Sequence, residues 1–315
     1  MIKVGIQHGG GWFNTKNPAE SFKLMKECGF DAVDFNIDTY LPTGELAARE
    51  GTPTSFFDKS LEELFEFFRP FKEGAEQNGI AFTQMHAPFP IWYIHKDEVN
   101  DHIIMAIEKC IAICDYVGCP AIVVHPVSRT VKENEIKTNL EIYRKLMPTA
   151  KKYKVKICLE NLYKNVNSVA FEGPCASAEE ACWYIDKLNA EAGEDVFGFC
   201  FDIGHALMMR RNVKNYITTL GKERLTILHL HDNDANKDCH MIPYSYIGNG
   251  KGLVCDWEGF LEGLKEIGFD GTLAFETFRS IRLAPKELTP DILRYTAAIG
   301  RYWASRLESN ESTEG

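Results

Sequence analysis

The chain of 315 residues contains no uninterrupted apolar run of about 18 residues, the length a helix needs to cross a bilayer, so no membrane span is expected. It also lacks a basic surplus: 35 Lys and Arg against 45 Asp and Glu give a formal charge of −10. Phosphate backbones and anionic lipid surfaces call for the opposite balance, so neither nucleic acid nor membrane is an expected partner. The ten cysteines form no CxxC pair, and Cys110, Cys114, Cys158 and Cys200 fall in apolar segments where a thiol simply packs. That distribution suggests a reducing, cytoplasmic setting. The opening MIKVGIQHGG has no long apolar core of the kind a secretory leader carries. A phosphate-cradling glycine turn is missing too, because Gly9-Gly10-Gly11 runs into Trp12 and not into a helix. No linker divides the chain, and 45% apolar composition over this length suits one large core.

What is present is an alternation. Short, almost wholly apolar segments at Val4–Gln7, Phe30–Ile37, Ile80–Met85, Ala121–Val124, Val155–Leu159, Phe197–Phe201, Leu225–Leu230 and Thr272–Phe275 read as strands buried on both faces. Between them, helices are expected over 18–28, 61–77, 97–117, 133–152, 177–189, 213–220 and 257–267, with a last one over 290–307. Residues 38–59 and 241–256 read as long loops, and the polar end 308–315 as a frayed tail. Eight strand and helix units in strict order predict an α/β fold, a single-domain (β/α)8 TIM barrel over 1–307. A doubly wound open sheet is the alternative, but it would be unusually wide.

In such a barrel the C-terminal strand ends converge on one face. Here strands three to eight end in His86, His125, Glu160, Asp202, His231 and Glu276. A lone His or carboxylate at a strand end usually packs or caps a helix. Six in succession, with no basic residue paired to them, predict a metal site. The stretch LTILHLHDNDANKDCH concentrates the signal: His229 and His231 share a strand face, so His229 can support His231, and Asp238 with His240 follow in the exit loop.

The motifs LEN with Glu160, FDIGH with Asp202 and His205, HLHDND with His231 and LAFETF with Glu276 resemble those of the xylose-isomerase-like barrels. That superfamily includes sugar and sugar-phosphate isomerases and epimerases and the apurinic endonucleases. The resemblance implies that Glu160, Asp202, His231 and Glu276 hold one divalent metal and that His205 contacts substrate. By analogy with the endonuclease branch, His86, His125, His205, Asp238 and His240 could hold additional metal ions. Three carboxylates and an imidazole favour Mn2+, with Co2+, Mg2+ or Zn2+ as alternatives.

The expected function is a metal-dependent sugar isomerase or epimerase that abstracts a proton alpha to a carbonyl and passes through an enediolate. Glu160 and Glu276 would be the acid/base pair, approaching from opposite sides. The alternative is a lyase of the C-glycoside deglycosidase type, acting on a 3-keto glycoside with a small partner subunit and cleaving a carbon–carbon or carbon–oxygen bond. There His125 or His86 would be the base, and Trp12, Phe13, Phe89, Trp92, Tyr93, Tyr244 and Tyr246 would line an aglycone slot. An apurinic endonuclease and a non-catalytic sugar-binding barrel are the remaining readings. Lys237 stands six residues after His231, where epimerases of the family often carry a substrate-clamping arginine, and His86 is a further substrate contact. A sugar or glycoside is thus the expected small-molecule partner, with a homo-oligomer as another assembly.

Overall fold

A computed structural model describes residues 1–167, 169–248 and 252–309. Eight parallel strands form a nearly closed barrel: Lys3–Gln7, Ala32–Asn36, Ala81–His86, Ala121–Val123, Lys156–Glu160, Phe197–Asp202, Leu225–His229 and Thr272–Phe275. Taken as strands one to eight, they are laddered in the order 8-1-2-3-4-5-6-7. The seventh and eighth meet differently. A single bridge joins Leu230 to Phe275, where Leu230 N–H donates to Ala274 O at 2.9 Å and Glu276 N–H donates to Leu230 O at 3.0 Å. The seventh strand therefore ends its ladder one residue before the expected limit, and Leu230 turns across to close the ring. Glu160 is the last residue of strand five, and Glu276 immediately follows strand eight.

Local chemistry accounts for the surrounding helices. Pro18 opens the helix Pro18–Cys28, and Gly29 ends it at φ 101°, a left-handed conformation that a side chain would strain. Ser60 and Glu63 form a reciprocal capping box on Leu61–Asn78. Indole rings of Trp257 and Trp303 stack at 4.8 Å where the last helix, Thr289–Glu308, covers the barrel wall. Inside the barrel a small plug of Ala121, Val123, Cys158, Cys200 and Ile227 fills the space beneath the strand ends.

Three regions depart from expectation. Residues 38–59 are not a bare loop: they hold the short helices Ile37–Tyr40, Thr43–Ala48 and Phe56–Asp58, the last capped by Ser55. After the fifth strand the chain forms an antiparallel hairpin, Tyr163–Val166 with Val169–Glu172. Short helices Ile203–Met208 and Phe278–Leu283 leave directly from the sixth and eighth strand ends. Of the expected tail, Glu308 closes the last helix and accepts the Ile2 N–H at 2.5 Å, while residues 310–315 lie outside the described residues. No helix among the described residues is long and apolar enough to cross a membrane.

Candidate metal centre

The strand ends surround a cavity of about 440 Å3. Gln7, Asn36, Asp38, His86, His125, Glu160, His205, His229, Asp238, His240 and Glu276 supply its polar wall, and Phe89, Leu162, Tyr163 and Phe278 its apolar one. No Lys or Arg is among these residues. The ion pairs of Glu160, Asp202, Asp238 and Glu276 among the described residues all go to histidine.

Glu160 is the hub on the strand-five side. Its Oε2 lies 2.9 Å from His125 Nε2, which is itself 2.9 Å from His86 Nε2. Its Oε1 is 3.3 Å from His205 Nδ1. On the far side, His231 Nε2 sits 3.2 and 3.1 Å from the two oxygens of Asp202, and His240 Nε2 is 3.0 Å from Asp238 Oδ2. Mutually close ligand groups include His86, His125 and Glu160; Glu160, Asp202 and His205; Glu160, Cys200 and His229; His231, Asp238 and His240; and Asp34, His229 and Glu276. Glu276 joins them from strand eight, with Oε2 3.5 Å from His240 Nδ1 and Oε1 accepting from Gln7 Nε2. Asp202 and His231 lie fully buried beneath the wall.

The donor set fits a divalent ion in one respect beyond composition. His86, His205 and His240 each donate Nδ1–H to a backbone carbonyl, of Ala87 at 2.9 Å, Asn161 at 2.8 Å and Glu276 at 3.1 Å. That anchor leaves the lone pair on Nε2, directed at its neighbours in the cluster, which is how metal-binding imidazoles are ordinarily held. The Nδ1 atom of His231 and the Oδ1 atom of Asp238 are buried without hydrogen-bond partners. Gly204 makes room for the cluster, since a Cβ there would stand 2.0 Å from His231 Cε1.

Without a cation the cluster balances its charge with protons. Burial resists ionisation of Glu160, but the imidazoles of His125 and His229 outweigh it and hold the carboxyl well below its ordinary value. The same opposition, burial against the His205 and His240 imidazoles, leaves Asp238 far below the usual carboxylate range. Burial works against a proton on His231, yet Asp202 raises it to about 9, and Asp202 with Asp238 and Glu160 likewise raises His205. His86 goes the other way, to about 3, through burial and the neighbouring His125.

Three residues expected to bind substrate stand off this cavity wall. Lys237 is exposed, because Asp234 Oδ1 accepts the backbone N–H groups of Asn236 and Lys237 and turns the loop outward. Trp92 lies under the Arg129 guanidinium at 4.1 Å and lines a separate groove with Asp97, Asn100 and Asp101. Trp12 packs edge-on against Phe13 at 5.6 Å. Of the aromatics expected to form an aglycone slot, Phe89 reaches the cavity. Tyr163, 5.1 Å from the His205 ring, and Phe278, 4.4 Å from His240, do so as well, with no sequence signal to mark them. Asn161 carried a signal only as part of LEN. Its side chain bonds the backbone of Asp202 twice, at 2.7 and 2.8 Å, pinning the ends of strands five and six together.

The sequence model of the xylose isomerase-like TIM barrel family matches residues 22–299. An inosose isomerase of Bacillus velezensis is 24% identical over 270 residues, covering 84% of this chain and 85% of that protein. Among solved structures, the 3-keto-D-glucoside 4-epimerase YcjR of E. coli superimposes with a TM-score of 0.68 at 17% identity, over 95% of this chain and all of the other. An IolI protein with a bound zinc atom does so with a TM-score of 0.66 at 18% identity, over 99% of this chain and 100% of that one.

Proposed function

The chain belongs to the xylose isomerase-like TIM barrel family, and from that premise we propose that it is a divalent-metal-dependent isomerase or epimerase of an uncharged keto-sugar. The observation that carries the reading is the set of three imidazoles anchored through Nδ1 on backbone carbonyls, standing among carboxylates in a cavity walled without Lys or Arg. One relative is an inosose isomerase and one structural neighbour a 3-keto-D-glucoside 4-epimerase, names that both specify a keto compound of the sugar class. A phosphorylated substrate would meet carboxylates and find no Lys or Arg among the lining residues.

Asp202, His231, Glu160 and Glu276 would hold a central ion, with Mn2+ the leading choice. His86 and His125 with Glu160 could hold another, and so could Asp238 with His205 and His240, whose Nε2 atoms both lie near Asp238 Oδ2. Such an ion would supply electrophilic stabilisation for negative charge developing on adjacent carbonyl and hydroxyl oxygens. The protein's own groups do the rest. Glu160 and Glu276 are each placed to take a proton from the carbon beside the carbonyl and return one. Their Oε2 atoms lie 3.6 and 3.7 Å from the same nitrogen of His229. Phe89, Leu162, Tyr163 and Phe278 present apolar surface that packs the C–H face of a sugar ring and excludes water from the reacting carbon. His205 and His86 are within reach of sugar hydroxyls at the cavity wall.

Glu160→Gln and Glu276→Gln are each expected to abolish incorporation of solvent deuterium into a ketose or inosose. Full exchange in both variants would sink the assignment. The elimination reading keeps one support: His125, at the cavity wall and 4.6 Å from the Phe89 ring, is placed to serve as a base beside an apolar aglycone. Release of a phenol from a 3-keto glycoside, lost in His125→Gln, would select it over isomerisation.

A further inference from the structure

A barrel interior is ordinarily filled by branched apolar side chains, but the first three strands here carry polar ones. Strand pairing sets Gln7 beside Asp34 and Asp34 beside Gln84, a polar row in which Gln7 reaches the cavity wall and no residue is more than 2% exposed. The two glutamines have partners: Gln7 Nε2 donates to Glu276 Oε1, and Gln84 Nε2 donates to Leu228 O at 3.3 Å. Asp34 has none of normal geometry: both of its carboxylate oxygens stand without a hydrogen-bond partner, although the Gln84 amide lies beside them. Leaving such a group buried is unfavourable, so its presence calls for a reason.

What Asp34 faces is His229, another side chain only 1% exposed. Oδ2 of Asp34 lies 3.4 Å from His229 Nε2, a nitrogen that is otherwise unpaired. The other nitrogen of the same ring, Nδ1, lies between the Oε2 atoms of Glu160 and Glu276. One imidazole thus touches both proposed proton-transfer carboxylates, and Asp34 stands behind it.

We propose that Asp34 is a positioning residue: facing Nε2, it fixes the plane of the His229 ring, whose Nδ1 in turn sets where Glu160 and Glu276 stand relative to each other. The proposal rests on the reading of those two glutamates as the acid/base pair. Asp34 is not on the cavity wall, so it acts through His229 and not on the sugar. A misplacement of about 1 Å between reacting groups is enough to slow a reaction about 100-fold, which gives such a support its leverage.

The test uses Asp34→Val, of similar size without polar atoms, and Asp34→Asn, which keeps an oxygen towards His229. In Asp34→Val the kcat for solvent-proton exchange is expected to fall about 10–100-fold, the usual range for lost support of this kind, with KM and bound metal unchanged. Asp34→Asn recovers most of that loss. In metal-free protein labelled with 15N-histidine, the His229 Nε2 signal shifts in both variants. Wild-type kcat in Asp34→Val, an unmoved His229 signal, or the loss of one metal equivalent, which would make Asp34 a ligand, overturns the proposal. Should Asp34→Val not fold, a shifted His229 signal in Asp34→Asn supports it, and an unmoved one overturns it. A wild-type protein that exchanges no proton on any keto-sugar defeats the isomerase reading instead, and the His229 signal alone then decides whether Asp34 holds the ring.

Discussion

At the scale of single residues, Gly204 and the buried histidines would set the terms on which the proposed metal binds. A methyl group at 204 would have to displace the His231 ring, whose Cε1 would be 2.0 Å away. Gly204→Ala is therefore expected to cost about 1–3 kcal/mol of stability through overpacking and to weaken metal binding more than tenfold, read by chemical denaturation and by competition with a chelator. The second residue-scale expectation concerns protons. His231 is raised to about 9 and His205 is raised as well, so at neutral pH the metal-free site carries protons that an incoming cation must displace. Raised values of this kind make the apparent metal affinity climb with pH until about 9 and make binding release protons. Calorimetry of metal binding in two buffers of different ionisation enthalpy at pH 7 should show that release, and a buffer-independent heat would contradict it.

At the scale of elements, the hairpin after the fifth strand is tied to its neighbours through one buried carboxylate. Glu135, on the helix Lys132–Tyr153, receives Lys132 at 2.7 Å, the Arg129 N–H at 2.8 Å and Lys164 of the hairpin at 2.9 Å. Burial disfavours its charge, but Lys132, the Arg129 amide and Lys164 together leave its pKa below the ordinary value. A lowered carboxylate stabilises the fold above its unfolded pKa of about 4.3, and that contribution disappears as the pH falls through the folded value. Glu135→Gln should be less stable than wild type at pH 7, and its stability should fall less steeply below about pH 4.3. Urea denaturation across pH 3 to 7 checks this, and parallel curves would refute it. Simpler local rules hold elsewhere: Ser60→Ala breaks a capping box on Leu61–Asn78 and should destabilise by about 1 kcal/mol, measured in the same experiment.

At the scale of the whole molecule, the barrel and its strand-end donors were legible because both depend on patterns local to the chain. Doubly buried strands read as continuous apolar runs, and the residue ending each run faces the cavity. The same logic marked His86, His125, Glu160 and Glu276, which line the cavity, and Asp202 and His231, which lie buried beneath its wall, whereas His205 was marked only by the FDIGH resemblance. It could not locate Asp34, whose significance comes from His229, far away in sequence and adjacent only after the ring closes. Nor could it separate Lys237 from the cavity, because the outward turn is made by hydrogen bonds to Asp234 and not by the residue's own type. The hairpin was missed for a related reason. Tyr163–Val166 and Val169–Glu172 are four residues each and largely exposed, so they show no hydrophobic alternation from which a pair of strands could be read.

The junction of strands seven and eight has a dynamic consequence. Two backbone hydrogen bonds at Leu230 close the ring there, and the residues that follow each side of this junction, His231 and Glu276, are both assigned to the central ion. A bound cation would then cross-link the two ends of the sheet where a single bridge joins them. Amide exchange at Leu230 and Glu276 should slow on metal loading more than at Asp202 or Glu160, whose strands are fully laddered. Occupancy of the site would thus be readable from the backbone, as the opening rate of the barrel itself.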